Sequence, residues 1–247
     1  EQKSLEGWLF TLDYPSYVPF MTYADNRGLR KKMSLAFGKR GFQQNDHNNE
    51  TVIQSIVQLR YQRANLLGYD SHAAFVLEER MAKDESTVRE FLNDLRNKAY
   101  PKAKKEWEEI NAFGQQELGY KTIEKWDTAY ISEKIKQVRF AFNEEELKPY
   151  FALPKVTTGL FKIVERLYGL SFKIRKDIPV YHPDVQDYEV TKDGAFYAVL
   201  YADFHPREGK RNGAWMTSYR AQNHEQRPHV SIVCNFSTPT GDTPALL

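Results

Sequence analysis

The chain has 247 residues, 35 Lys+Arg against 33 Asp+Glu for a formal net charge of +2, and 14% aromatic residues. That length allows a sizeable core in one large domain or two small ones. The balanced charge excludes the basic footprint of a nucleic-acid binder, and the single cysteine, Cys234, excludes an internal disulfide or a Cys-rich zinc module. No apolar run approaches the ~18 residues that span a bilayer, and the first ten residues, EQKSLEGWLF, carry no charged-then-apolar signal pattern.

In chain order, the first two-thirds read as helices. Arg27–Arg40 places Leu29, Met33, Ala36 and Phe37 on one stripe with a basic opposite face. Glu50–Leu67 repeats the pattern with Val52, Ile53, Ile56, Val57, Leu59 and Tyr61, and Gly68 follows as a C-terminal stop. Ser71–Met81 is the next helix, then Thr87–Leu118, opened by Asp84 or Ser86 as cap. Pro101 is expected to bend or split this long helix, because its ring removes a donor and crowds the preceding turn. Trp126–Phe140, Glu144–Tyr150 and Thr157–Tyr168 complete the helical part, with Gly169 as the last stop.

After Gly169 the period changes from helical to alternating. Phe172 and Ile174 alternate with charges, as do Tyr188 and Val190, and Lys192-Asp193-Gly194 reads as a hairpin turn into Ala195–Ala202. Val230–Asn235 is a further β-branched strand, while the intervening residues 203–228 read as polar, Gly- and Arg-rich loops. The fold class is therefore mainly α with a small, largely antiparallel β-sheet near the C-terminus. Residues 1–170 form the helical region and 171–247 the sheet and loops, as one continuous piece in which the boundary near 170 divides layers rather than independent domains.

Several constellations bear on chemistry. His224-Glu225-Gln226-Arg227-Pro228-His229 is a near miss for a zinc-binding HExxH. Histidines at i and i+4 sit ~40° apart on a helix, whereas the i+5 spacing here puts them ~140° apart. Pro228 further breaks the would-be helix. A loop leading into the Val230 strand is the better reading. Asp203 and His205 share one face of a strand and His182 could join them, but without a third convergent ligand they make no metal site. Cys234 reads as a buried small apolar residue. The Gly-rich Glu208–Gly213 has no helix start after it and is not a phosphate loop.

One set of segments, taken in order, carries a family resemblance. It comprises Trp126-Asp127 with Tyr130 and Lys134, Leu147–Phe151, Leu160-Phe161 with Arg166–Gly169, and Val180–Val185. It continues through Tyr201–Phe204, Gly209–Arg211, Gly213-Ala214-Trp215-Met216, Cys234–Phe236 and Pro244–Leu247. This order resembles the thimet oligopeptidase and peptidyl-dipeptidase family of zinc metallopeptidases. Ile178–Val185 and Tyr201–Phe204 look closest to the bacterial dipeptidyl carboxypeptidase branch, which removes dipeptides from peptide C-termini.

The resemblance implies that this is a central segment of a longer zinc peptidase, with the HExxH helix and the third ligand beyond Leu247. Zinc is then the cofactor of the full-length protein, where it polarises the scissile carbonyl and acidifies water. None is expected in this segment, which should be inactive alone and supplies neither catalytic nor metal residues. The implied partners are short peptides, with no nucleic acid and no membrane. The full-length protein is expected to be monomeric, and cytoplasmic or else periplasmic. Flanking helices would cover apolar surface that the segment exposes, so the segment is expected to self-associate.

A small sheet can hold an extended peptide by strand addition. Ala195–Asp203 and Val230–Asn235 are the candidate strands, and Arg207–Trp215 the candidate rim. Arg207, Gly213, Ala214, Trp215 and Asn235 are the substrate-cleft candidates. For Trp215 a core anchor is preferred over substrate contact. For Arg207, Lys210 and Arg211 a solvated loop is preferred over capture of a peptide carboxylate, and Trp126, Tyr130 and Lys134 read as helix packing with a surface charge. The alternative from another class is a non-enzymatic helical scaffold that binds peptides through a sheet edge.

Overall fold

The computed structural model describes residues 6–141 and 146–238. These fall into two compact units, with breaks between Pro19 and Phe20 and between Arg139 and Phe140.

The unit between those breaks is helical: α2 is Arg27–Gly38, α3 Glu50–Leu66, α4 His72–Leu77, α5 Glu85–Gln116 and α6 Thr128–Phe140. Three of these helices start where a short polar side chain satisfies a free backbone donor. Asn26 accepts from the Leu29 amide at 3.0 Å, Ser71 from Ala74 at 2.9 Å and Asp84 from Thr87 at 2.8 Å. Helix α5 runs unbroken through Pro101 for 32 residues, so the expected split does not occur. Strong helix formers follow at Lys102, Ala103, Lys104 and Lys105 and carry the helix across one missing donor. Helix α4 is shorter than the Ser71–Met81 expectation, stopping at Leu77 before a turn that ends with Lys83 at φ 67°.

Gly114 sets the closest approach in this unit. A Cβ there would lie 2.4 Å from Ile123 Cδ1 and 2.9 Å from Ile131 Cδ1, so the absence of a side chain lets the end of α5 meet the start of α6. Ile131 is fully buried beside it.

The other unit holds the sheet. Helix α1, Tyr14–Tyr23, begins in it and went unforeseen because its sequence, YPSYVPFMTY, is aromatic and carries two prolines. Pro15 lies in the first turn, where no donor is needed. A 3-10 turn at Lys148–Phe151 precedes α7, Leu153–Tyr168. The expected Glu144–Tyr150 helix falls partly on residues outside those described, and Pro244–Leu247 lies wholly outside them. Helix α7 opens at Leu153, four residues before the expected Thr157, with Pro154 in its first turn, and Gly169 at φ 69° closes it with its amide on Glu165 O at 2.8 Å.

Strands β1 Leu170–Ile174, β2 Gln186–Lys192, β3 Ala195–Asp203, β4 Trp215–Arg220 and β5 His229–Val233 form one sheet in the order β1-β2-β3-β5-β4. Three pairings are antiparallel and β3–β5 is parallel. The β2–β3 hairpin turns at Asp193 (φ 50°) and Gly194 (φ 78°), the doubly positive pattern of a type I′ turn matching strand twist. One sheet face packs Val185, Val199 and Tyr201 with Ile178. The other receives α7, whose Phe161 stacks on Phe172 with centroids 4.1 Å apart and meets Tyr188 edge-on at 5.0 Å. Among the described residues, β1 and β4 are the outer strands.

Candidate functional site

Strand β3 ends at Asp203, and the chain leaves the sheet there to return as the outer strand β4. The Asp203 carboxylate is 2% exposed and gathers three donors. Arg207 binds it with both terminal nitrogens, Nη1 to Oδ1 at 2.8 Å and Nη2 to Oδ2 at 2.9 Å. Lys210 Nζ reaches Oδ1 at 2.8 Å and also the carbonyls of Asp203 at 3.1 Å and His205 at 2.6 Å. Tyr181 donates its hydroxyl to Oδ2 at 2.9 Å. Burial alone would raise the Asp203 carboxyl, but hydrogen bonds from Arg207, Lys210 and Tyr181 hold it well below the usual carboxylate range.

The far end of the same loop is tied to β5. Asn235 Nδ2 donates to Arg211 O at 3.1 Å and to Gly213 O at 2.7 Å. The β3–β5 pairing also continues past the strands, through Cys234 N on Asp203 O and Phe236 N on Phe204 O, each at 2.8 Å. Gly213 takes φ 106°, a left-handed value that a side chain would strain, and Ala214 leads directly into β4. Asn212 Nδ2 meets Asp13 Oδ1 at 3.2 Å.

Strand β4 pairs with β5 from Trp215 opposite Val233 to Arg220 opposite His229, and its burial pattern is open along nearly its full length. Its other edge is unpaired among the described residues. Tyr219 on β4 meets Tyr181 at 6.2 Å and Tyr201 at 5.7 Å, both edge-on. Tyr201 shares a 3.1 Å hydrogen bond with His229 Nδ1. Burial, then Tyr219 and Asp203, push the Tyr181 hydroxyl far above its usual range. Burial, then Arg220, push His229 down.

The five cleft candidates therefore lie together on one loop and its anchor. Two expectations are corrected here. Arg207 and Lys210 are not solvated loop charges, since the Lys210 side chain is 4% exposed and both grip Asp203. Trp215 keeps 36% exposure at the start of β4, more than a core anchor would. The strand-addition candidates are refined as well: β3 and β5 are interior strands with both edges paired, and among the described residues the free edges belong to β1 and to β4, of which β4 adjoins the candidate loop. Strand β4 was hidden in a stretch read as loop because WMTSYR has no apolar alternation, being exposed on both faces.

The other sequence motifs resolve without chemistry. His224 and Glu225 sit in a turn where the Glu225 and Gln226 amides both bond Asn223 Oδ1 at 2.9 Å, and His229 opens β5, so no helix aligns them. His205 Nδ1 lies 3.4 Å from Phe236 O, while His182 Nδ1 is 3.7 Å from Asp184. Among the described residues no group of three His, Cys, Asp or Glu is placed to hold a metal. A groove of about 910 Å³ runs between α7 and the sheet, lined by Leu153, Phe161, Phe172, Tyr188 and Phe204. In the helical unit, Asp127 takes up Arg27 (Nη2 to Oδ2, 2.6 Å) and the fully buried Arg30 (Nη2 to Oδ1, 3.1 Å), and Arg30 lies over the Tyr130 ring at 4.0 Å.

A family model described as Peptidase family M3 matches residues 20–247, which include the whole loop, β4 and β5. The chain belongs to Peptidase family M3. It is similar to oligopeptidase A of Escherichia coli, 41% identical over the whole chain and 38% of that protein's length. It is 35% identical to the organellar oligopeptidase A of Arabidopsis thaliana, covering 97% of this chain and 32% of that protein. It is 33% identical to the dipeptidyl carboxypeptidase of Escherichia coli, covering 100% of this chain and 37% of that protein. This family M3 chain thus spans between 32% and 38% of the length of these relatives.

Proposed function

We propose that the protein containing this chain is a zinc-dependent oligopeptidase acting on short peptides, and that this chain supplies the sheet and loop that receive the peptide. The observation that carries the reading is the β4 edge, unpaired among the described residues, within a chain that matches a peptidase family over residues 20–247. An extended peptide pairing with β4 gains main-chain hydrogen bonds that are indifferent to sequence, which suits a broad peptidase. Gly213, Ala214 and Trp215 form the entry to that edge, while Arg207 and Asn235 hold the loop behind it.

Peptidases of family M3 are zinc-dependent. The described residues of this chain do not fit a zinc ion: no ligand group converges, and the buried Asp203 carboxylate is filled by Arg207 and Lys210. No metal step is assigned to them. The chain by itself is expected to be inactive, its ligands being supplied by the remainder of the protein.

A second reading within the same class is release of C-terminal dipeptides, supported by the 33% identity to a dipeptidyl carboxypeptidase. Identity to oligopeptidase A is higher, at 41%, and favours internal cleavage. The test is the full-length protein incubated with peptides blocked or free at the C-terminus, with products read by mass spectrometry. Internal cuts in blocked peptides support the oligopeptidase, and stepwise loss of dipeptides from free ends supports the second reading. Activity should disappear with a chelator and return with zinc. A full-length protein that binds peptides, cleaves none and contains no zinc would instead be a scaffold.

A further inference from the structure

Resting on the peptidase reading, we infer that Asp203, gripped by Arg207 and Lys210, is a positioning residue that fixes the 204–214 loop and thereby sets the β4 edge for peptide pairing. The loop is held from both ends. Asp203, at the last position of β3, binds the side chains four and seven residues ahead of it, at 2.8–2.9 Å. Asn235, just past β5, binds the carbonyls of Arg211 and Gly213. Between them these contacts determine where Gly213 hands the chain to β4. A third arm reaches the strand itself, because Tyr181 donates to Asp203 and packs edge-on against Tyr219 of β4.

Other roles for this cluster fail on geometry. Each carboxylate oxygen already accepts two hydrogen bonds, Oδ1 from Arg207 and Lys210 and Oδ2 from Arg207 and Tyr181, so the group has no free lone pair pointing at a reacting atom and is a poor proton acceptor. The same occupancy leaves no room for a metal. A purely stabilising role is a weak account, since a buried ion pair of this kind is commonly no better than a well-packed apolar substitute. What an apolar substitute could not supply is direction: the bidentate fork of Arg207 and the three acceptors around Lys210 Nζ each fix a different part of the loop. A strand edge that pairs with a peptide must present its donors and acceptors in register before the peptide arrives, so looseness there appears as weaker binding.

The experiment uses the full-length protein with Asp203→Asn, Arg207→Gln and, as a charge control, Arg211→Gln, whose side chain lies on the exposed part of the loop. Arg207 is 22% exposed at its side chain and its removal leaves Lys210 and Tyr181 on Asp203, so this variant should fold even if Asp203→Asn does not. Two readouts are taken: steady-state cleavage of a short peptide, and cutting of the loop after Glu208 by a Glu-specific protease. The expected result is KM raised about threefold to tenfold with kcat within about twofold, together with faster cutting at Glu208, for Asp203→Asn and Arg207→Gln. Arg211→Gln should leave both unchanged. Faster cutting with unaltered KM overturns the positioning role, and unaltered cutting overturns the clamp. An equal KM effect from Arg211→Gln shows loop charge to be the cause and also overturns it. If the wild-type protein cleaves no peptide, the peptidase reading falls with the substrate part of this inference, while the Glu208 cut still decides the clamp.

Discussion

Two buried aspartates organise their surroundings in the same way. Asp127 is fully buried, accepts from Arg27, Arg30 and the Glu124 amide, and lies where the loop after α5 turns into α6. Burial pushes its carboxyl up, but the bonds from Arg27, Glu124 N and Arg30 outweigh this and hold it below the usual range. Removing it would leave Arg30, itself fully buried, without its counter-charge. Asp127→Ala is therefore expected to cost about 3–5 kcal/mol, measured as the shift in a denaturant midpoint. The sign of the pH dependence follows from the depressed values of Asp127 and Asp203. Each contributes stability that is fully present above the unfolded carboxyl value of ~3.9 and is lost as pH falls below it toward the folded value. Melting temperature should be level near neutrality and drop in acid, and Asp127→Asn should flatten that drop. A slope unchanged in the variant would show that other carboxylates govern it. Tyr130 belongs to the same cluster; burial and its 2.7 Å bond to Asp25 push its hydroxyl up to about 12.

At the scale of elements, local chemistry and close packing pull in opposite directions at Gly114. Alanine is the better helix former by about 1 kcal/mol. Its Cβ, however, would press on Ile123 and on the fully buried Ile131, and overpacking of this kind costs about 1–3 kcal/mol. Gly114→Ala is expected to destabilise the protein by about 1 kcal/mol in a chemical melt, and a stabilised variant would mean that the two isoleucines give way. Helices α2, α3 and α5 were legible in the sequence because their caps and apolar spacing are local. The β2–β3 hairpin was legible because Asp193-Gly194 admits few other conformations. Strand β4 was not, since it is held by its pairing with β5, by Asn235 on Gly213 O and by the Asp203 grip on the loop before it. None of those partners is adjacent in sequence, and the strand has no buried face to impose alternation.

At the scale of the molecule, the chain is a part of its relatives' length, and its surface behaves as a part. Helix α3 exposes Val52, Ile53, Val57 and Leu59 by more than half each, Leu66 is 87% exposed, and α7 exposes Ile163 and Leu167. Exposed large apolar side chains in that number, on each unit taken by itself, are surface that a longer protein covers. Expressed alone, the 247-residue chain is expected to self-associate and to melt broadly, and the full-length protein to do neither. Light scattering decides this, and a monodisperse monomer with a sharp melt would show that these faces are tolerated in water. The same chain should lack peptidase activity in an assay in which the full-length protein cleaves.

The sequence by itself determined the helix-then-sheet order, most helix ends, the hairpin, and membership of a peptidase lineage, because caps, turn residues and ordered motifs are written in neighbouring positions. It also named five cleft candidates that the fold brings together on one loop and its anchor. Only the tertiary structure decided what those residues do there. Strand order makes β4, like β1, an outer strand among the described residues and places β3 and β5 inside the sheet, and long-range pairing turns Arg207 and Lys210 from loop charges into the grip on Asp203. The physical reason is common to both: edge position and buried charge depend on which distant segments come together, and one-dimensional spacing does not encode that.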